Sequence, residues 1–167
     1  QNGGEPSRFD ATVMKFSSGV WSEVGTLNAQ QVSFTFAADY YPSIAIAIAP
    51  DNTPFVAYGD YTLAVAGTVK KYDGANWVTV GAAGFTGSSQ AMALSLAIDQ
   101  NDGTPYVLFR DDQATTQYAA TVMKYDGASW VLVGTRGFSN SAIIKYPSIT
   151  ITSDGIPYVA YQDVTRS

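Results

Sequence analysis

Cysteine and histidine are both absent from this 167-residue chain. Disulfide staples, thiolate nucleophiles and most zinc ligand sets are excluded with them. Charge is scarce as well. Asp, Glu, Lys and Arg make up 14% of the residues, against roughly 25% in an average soluble protein. Nine basic and fourteen acidic side chains leave a net charge of −5, and the densest basic pair is Lys70-Lys71. Phosphate backbones are bound by clustered cations, so nucleic acid is not an expected partner. No apolar run approaches the roughly 20 residues of a membrane helix, so membrane insertion is not expected either.

What is present is enough apolar material for a core, at 46% of residues. The polar surface must then be built from Ser, Thr, Asn, Gln, Gly and Tyr. Such a surface is common on extracellular proteins that meet sugars, polymers or each other, and the expectation is a secreted or cell-surface protein. Residues 1–10, opening Gln1-Asn2-Gly3-Gly4, read as a flexible leader of the kind left by signal cleavage.

The strongest signal is internal repetition. The segment Thr12-Val13-Met14-Lys15-Phe16 followed by Trp21 and Val24-Gly25 aligns without gaps with Thr68-Val69-Lys70-Lys71-Tyr72 followed by Trp77 and Val80-Gly81. It aligns equally with Thr121-Val122-Met123-Lys124-Tyr125 followed by Trp130 and Val133-Gly134. A second block recurs as Pro54-Phe55-Val56-Ala57-Tyr58, Pro105-Tyr106-Val107-Leu108-Phe109 and Pro157-Tyr158-Val159-Ala160-Tyr161. Each unit reads as four short strands. Asp73-Gly74 and Asp126-Gly127 are hairpin signals, and Ser18-Gly19 takes their place in the first copy. The Ile44-Ala45-Ile46 run and its counterparts at Ser95-Leu96-Ala97 and Ser148-Ile149-Thr150 precede the Pro block. The first copy of that run is two residues longer, an even insertion that keeps every side chain on its face.

Four strands at a period of about 50 residues predict an all-β chain of β-propeller blades, since the rungs of a β-helix are far shorter. The Ala- and Ser-rich strand suits the crowded axis. The Trp strand is then outermost, with Trp21, Trp77 and Trp130 covering the gaps between blades. Residues 11–167 form a single propeller segment: a half blade at 12–25, full blades at 42–81 and 92–134, and a half blade at 146–163. That makes three four-stranded blades per chain. The Asp-Gly-x-Pro-Tyr-Val-Ala-Tyr block with the Lys-Tyr-Asp-Gly-x-x-Trp hairpin resembles the blade repeat of secreted bacterial β-propellers. Residues 125–130 are also similar to the Asp-box hairpin of sialidase-like and lectin-like propellers, except that Asp and Gly are adjacent here. The resemblance implies the fold more than any function.

Three blades are too few for a closed ring, and half blades carry unpaired edges. Head-to-tail self-assembly is therefore expected, with six blades from two chains favoured and a fibre as the outcome if the rotation does not close. A fragment of a longer propeller has the same pattern. The loops open to ligands are 59–67, 111–120 and 163–167, with 26–41, 82–92 and 135–146 between units. Their candidate ligand-contacting residues are Tyr40, Tyr41, Asp60, Arg110, Asp111, Tyr146 and Asp163. The tyrosines offer sugar-stacking platforms or inter-blade packing, and the recurring Asp60, Asp111 and Asp163 offer ligand carboxylates or Asx caps. Gly84-Phe85 and Gly137-Phe138 recur as packing elements, and Arg110 beside Asp111 and Asp112 reads as a surface ion pair. No catalytic pair, metal site or cofactor is identified. The expected function is non-enzymatic binding of glycans or other surface ligands. The alternative is a structural subunit of an extracellular fibre or surface assembly.

Overall fold

The computed structural model describes residues 11–29, 33–36, 39–42, 44–87, 90–113, 118–139 and 143–164. Every regular element among them is a β-strand, apart from a single 3-10 turn at Tyr61–Leu63. The all-β class expected from the repeat is therefore observed.

The strands form five antiparallel sheets, none of which closes on itself. Strands β1 (Met14–Ser17) and β2 (Val20–Glu23) make a hairpin, as do β3 (Ser33–Phe36) and β4 (Asp39–Pro42). A four-stranded meander follows: β5 (Ile44–Ile48), β6 (Pro54–Asp60), β7 (Ala66–Tyr72) and β8 (Trp77–Thr79). A second has the same order: β9 (Ala91–Ile98), β10 (Pro105–Asp111), β11 (Ala119–Tyr125) and β12 (Trp130–Leu132). The last hairpin pairs β13 (Ile144–Ile151) with β14 (Pro157–Asp163).

Local sequence explains these hairpins. Asp73 and Asp126 each open a four-residue loop. The Asp73 carboxylate accepts the backbone N–H of Ala75 at 2.9 Å and of Asn76 at 2.7 Å. Asp126 does the same for Ala128 and Ser129, at 2.9 and 2.8 Å. Gly74 and Gly127 take the positive φ that closes the turn. The first copy is tighter. Ser18 and Gly19 both have positive φ between Ser17 and Val20, which face each other across the ladder, so this hairpin has a two-residue loop of the kind whose twist matches its strands.

Two features lie where the sequence placed loops. The segment 26–41 contains strand β3 and most of β4; Ser33-Phe34-Thr35-Phe36 is a β-prone alternation in its own right. The 135–146 segment likewise ends inside β13. There a bulge sets Tyr146 and Pro147 opposite a single partner-strand residue, Tyr161, and β9 has the same bulge at Ala93 and Leu94 opposite Phe109. A bulge frees one residue from the ladder, so Pro147, which has no N–H to give, is tolerated inside a strand.

The sheets stack face to face. Leu94, Leu96 and Ile98 of β9 pack on Ala45, Ala47, Phe55 and Ala57 of the preceding sheet. Large branched side chains from one face thus enter the hollows left by alanines on the other. Each such burial contributes about 1.5–3 kcal/mol before entropy is subtracted. Val13, Leu27 and Ala29 beside the first hairpin pack on Val56, Tyr58 and Trp77. Ile144 and Ile149 of β13 pack on Ala97, Tyr106 and Leu108. Among the described residues, the β1–β2 hairpin, the two four-stranded sheets and the β13–β14 hairpin therefore follow one another through face-to-face apolar contact.

That contact is tightest at Gly81. Its φ is +68°, and a Cβ built there lies 2.8 Å from the Tyr125 ring and 3.1 Å from Trp130. Gly74 has an equally left-handed backbone but nothing within 4 Å. Gly81→Ala is expected to cost about 2–4 kcal/mol from the combined left-handed and overpacking penalties. Gly74→Ala is expected to cost only about 1–2 kcal/mol. Urea unfolding midpoints of the two variants check the difference.

The turn aspartates add a pH dependence. Backbone N–H groups, of Asn76 then Ala75 for Asp73 and of Ser129 then Ala128 for Asp126, hold both carboxyls below their ordinary value of 3.8. A depressed folded pKa gives stability that is complete above the unfolded value and lost as pH falls through the folded one. Urea midpoints are expected to be flat above about pH 5 and to fall below about pH 4. The double variant Asp73→Asn, Asp126→Asn keeps the acceptor oxygens and is expected to show a shallower acid limb.

Candidate functional site

The residues singled out in the sequence are distributed along the stack. Tyr40 and Tyr41 lie in β4, opposite Thr35 and Phe34; their side chains fall outside the described set. Asp60 ends β6 and caps the 3-10 turn, its carboxylate accepting Thr62 N–H at 3.0 Å and the Thr62 hydroxyl at 2.6 Å. Asp163 ends β14 at the equivalent position and is half-buried. Tyr146 stands exposed on the β13 bulge, with φ +50°.

Arg110 and Asp111 correct the surface ion-pair reading. Both are buried, and as neighbours on a strand they point to opposite faces. Arg110 donates from Nη2 to the Met92 sulfur at 2.8 Å and lies over the Tyr118 ring, 4.9 Å from its centroid. Asp111 instead accepts Arg136 Nε at 2.6 Å, the Thr121 hydroxyl at 3.0 Å and Gln113 N–H at 3.2 Å. The carboxylate's hydrogen bonds hold a loop, as Asx geometry does.

An open polar groove of about 370 Å³ lies on the face carrying the β5–β6, β7–β8 and β9–β10 turns. Asp51, Thr53, Phe55, Lys71, Asn101 and Asp102 line it. Sequence reasoning passed over this groove because its residues come from separate turns that only the stacking of two sheets brings together.

The most regular geometry belongs to the tryptophans. Trp77 donates its indole N–H to the Val24 carbonyl at 2.7 Å, and its ring covers Gly25. One unit later, Trp130 donates to the Val80 carbonyl at 2.9 Å and covers Gly81. Phe85 stacks on Trp130 with 4.1 Å between centroids. Each unit thus inserts an indole under the carbonyl–glycine step of the unit before it. Each such hydrogen bond is worth about 0.5–1.5 kcal/mol net, and it fixes where the ring sits.

Four features at the ends of the series complete this pattern only in part. Trp21 is 66% exposed where Trp77 is 8% exposed, so it departs from the core role expected of it. Gly134 keeps the left-handed φ of +75°, yet a Cβ there meets nothing within 4 Å. The large row of β5 is likewise open: Ile46 is 55% exposed, whereas Leu96, at the same register in β9, is 6% exposed. On β14, Tyr158 is 61% exposed while its counterpart Tyr106 is 6% exposed.

Arg136→Met removes the partner of a fully buried carboxylate. A loss of about 3 kcal/mol is expected, read as a lower urea midpoint. A scan against protein-family models finds no match to this chain, and neither does a search of curated proteins.

Proposed function

We propose that this chain is a β-propeller segment, of the kind found in secreted bacterial proteins, that works as an extracellular assembly scaffold and not as a catalyst. The observation that carries this reading is the contact used between successive units, with its donor and acceptor halves left exposed at opposite ends. Four-stranded meanders at a regular period, with the Trp strand at one edge and the Ala- or Ser-bearing strand at the other, support blades. The polar side chains at the strand ends support a structural role, because Asp60 Oδ1 and both carboxylate oxygens of Asp111 accept hydrogen bonds from backbone and neighbouring side chains. Scarce surface charge removes one barrier to close approach of further units.

Light scattering and electron microscopy of the purified chain test this. The expected result is a particle heavier than the 17.8 kDa chain, as discrete rings or as fibres of stacked four-stranded sheets. A monomer persisting at high micromolar concentration is the outcome that removes the scaffold reading.

Glycan binding is a second reading, favoured by the groove between the turns, which sets carboxylate, amide and ammonium groups beside the Phe55 ring. Weak repeated sites on an assembly gain from avidity. On a glycan array, binding that is lost in Lys71→Ala supports it, and silence towards every sugar removes it.

A further inference from the structure

Resting on the scaffold reading, we infer that the occupant of both exposed ends is a second copy of this chain, joined by β14 of one copy pairing with β1 of the other in a defined register. Within the chain, the second and third strands of each meander pair as Val56 with Lys70 and Ala57 with Val69, and again as Val107 with Met123 and Leu108 with Val122. The terminal hairpins hold the same two strand positions, β14 as a second strand and β1 as a third, and among the described residues each belongs to a two-stranded sheet. Carrying the register across copies sets Val159 opposite Met14, Ala160 opposite Val13 and Tyr158 opposite Lys15.

Three independent features agree with that single placement. First, Trp21 of one copy reaches the Val133 carbonyl and Gly134 of the other, where a Cβ has open space; Phe138 stands there as Phe85 stands beside Trp130. Second, the exposed row Ile44, Ile46 and Ile48 meets the exposed face of Ser148, Thr150, Tyr158 and Ala160. This is the same combination of large on small that Leu94, Leu96 and Ile98 make with Ala45, Ala47 and Ala57. Third, Lys15 comes over Tyr158 as Lys124 lies over Tyr106, 5.7 Å from its centroid. The contact is heterologous: one end of a copy engages the opposite end of the next.

The absence of native cysteine makes the register directly testable. Directly opposed residues in antiparallel strands have Cα atoms about 4.5–5.5 Å apart, within disulfide range. Chains carrying Met14→Cys are mixed with chains carrying Val159→Cys and mildly oxidised. A covalent dimer is expected in the mixture, and little in either sample alone. Pairing Met14→Cys with Tyr161→Cys, two residues out of register, is expected to cross-link at least about tenfold less. Trp21→Ala added to the Met14→Cys chain is expected to reduce the adduct about tenfold or more, and because Trp21 is exposed this variant keeps its wild-type circular dichroism. Assembly seen by light scattering without the in-register adduct overturns the placement and leaves the scaffold reading intact. A monomeric chain without adduct overturns both. An adduct insensitive to Trp21→Ala removes the indole from the contact.

Discussion

The indole under the carbonyl–glycine step is the interaction on which the rest of the architecture depends. A four-stranded sheet of this length has two faces and cannot bury both by itself. Each face therefore has to be covered by the next sheet, and the covering must be in register. The Trp77 and Trp130 hydrogen bonds to Val24 and Val80 set that register at the edge formed by β8 and β12. Leu94, Leu96 and Ile98 set it on the opposite edge strand, β9, by entering the alanine hollows. Hydrogen bonding supplies position there, and apolar burial supplies most of the free energy. The glycine is indispensable because a ring lies where a Cβ must go, and because the backbone there is left-handed.

The same economy appears where one sheet passes to the next. Val65 and Tyr118 hold positive φ at equivalent positions, with φ of +66° and +67°. Left-handed backbone is costly for such residues, above all for a β-branched one. Each is held by a carbonyl contact to the following unit: Ala91 N–H donates to the Val65 carbonyl at 2.9 Å, and Ile144 N–H to that of Tyr118 at 3.3 Å. Thr68 and Thr121 repeat the logic, their hydroxyls accepting Gly84 and Gly137 N–H at 3.0 Å. Gly84-Phe85 and Gly137-Phe138 thus belong to the connection between units. Strain is concentrated at the crossings, where neighbouring backbone over-determines it.

A chain built this way presents matched surfaces. Every internal unit offers a donor face and an acceptor face, both consumed by its neighbours. The exposed Trp21, Ile46, Tyr158 and Gly134 belong to the same residue positions that are covered inside the series. Their exposure reflects the absence of a neighbouring unit at those places and not a difference in chemistry. Side chains near the ends of the second strands, by contrast, differ from unit to unit: Gly59, Arg110 and Gln162 share a strand position yet have unrelated properties.

Much of this was legible from the sequence, because strand period and turn chemistry are local. Asp73-Gly74, Asp126-Gly127 and Ser18-Gly19 mark hairpins through the positive φ they accept, and the Pro-aromatic-Val blocks mark strands by alternation. Other features were not legible. Arg110 beside Asp111 reads as a pair until strand alternation sends them to opposite faces and gives Asp111 to Arg136, 25 residues away. The bulges at Ala93 and Tyr146 depend on pairing with β10 and β14. Trp21, Trp77 and Trp130 are equivalent letters in one repeat, and only the presence or absence of a packed neighbour makes one exposed and another buried. Local propensity therefore determined the strands and their turns, whereas burial, partner choice and the open ends were decided by stacking, because they depend on which faces meet.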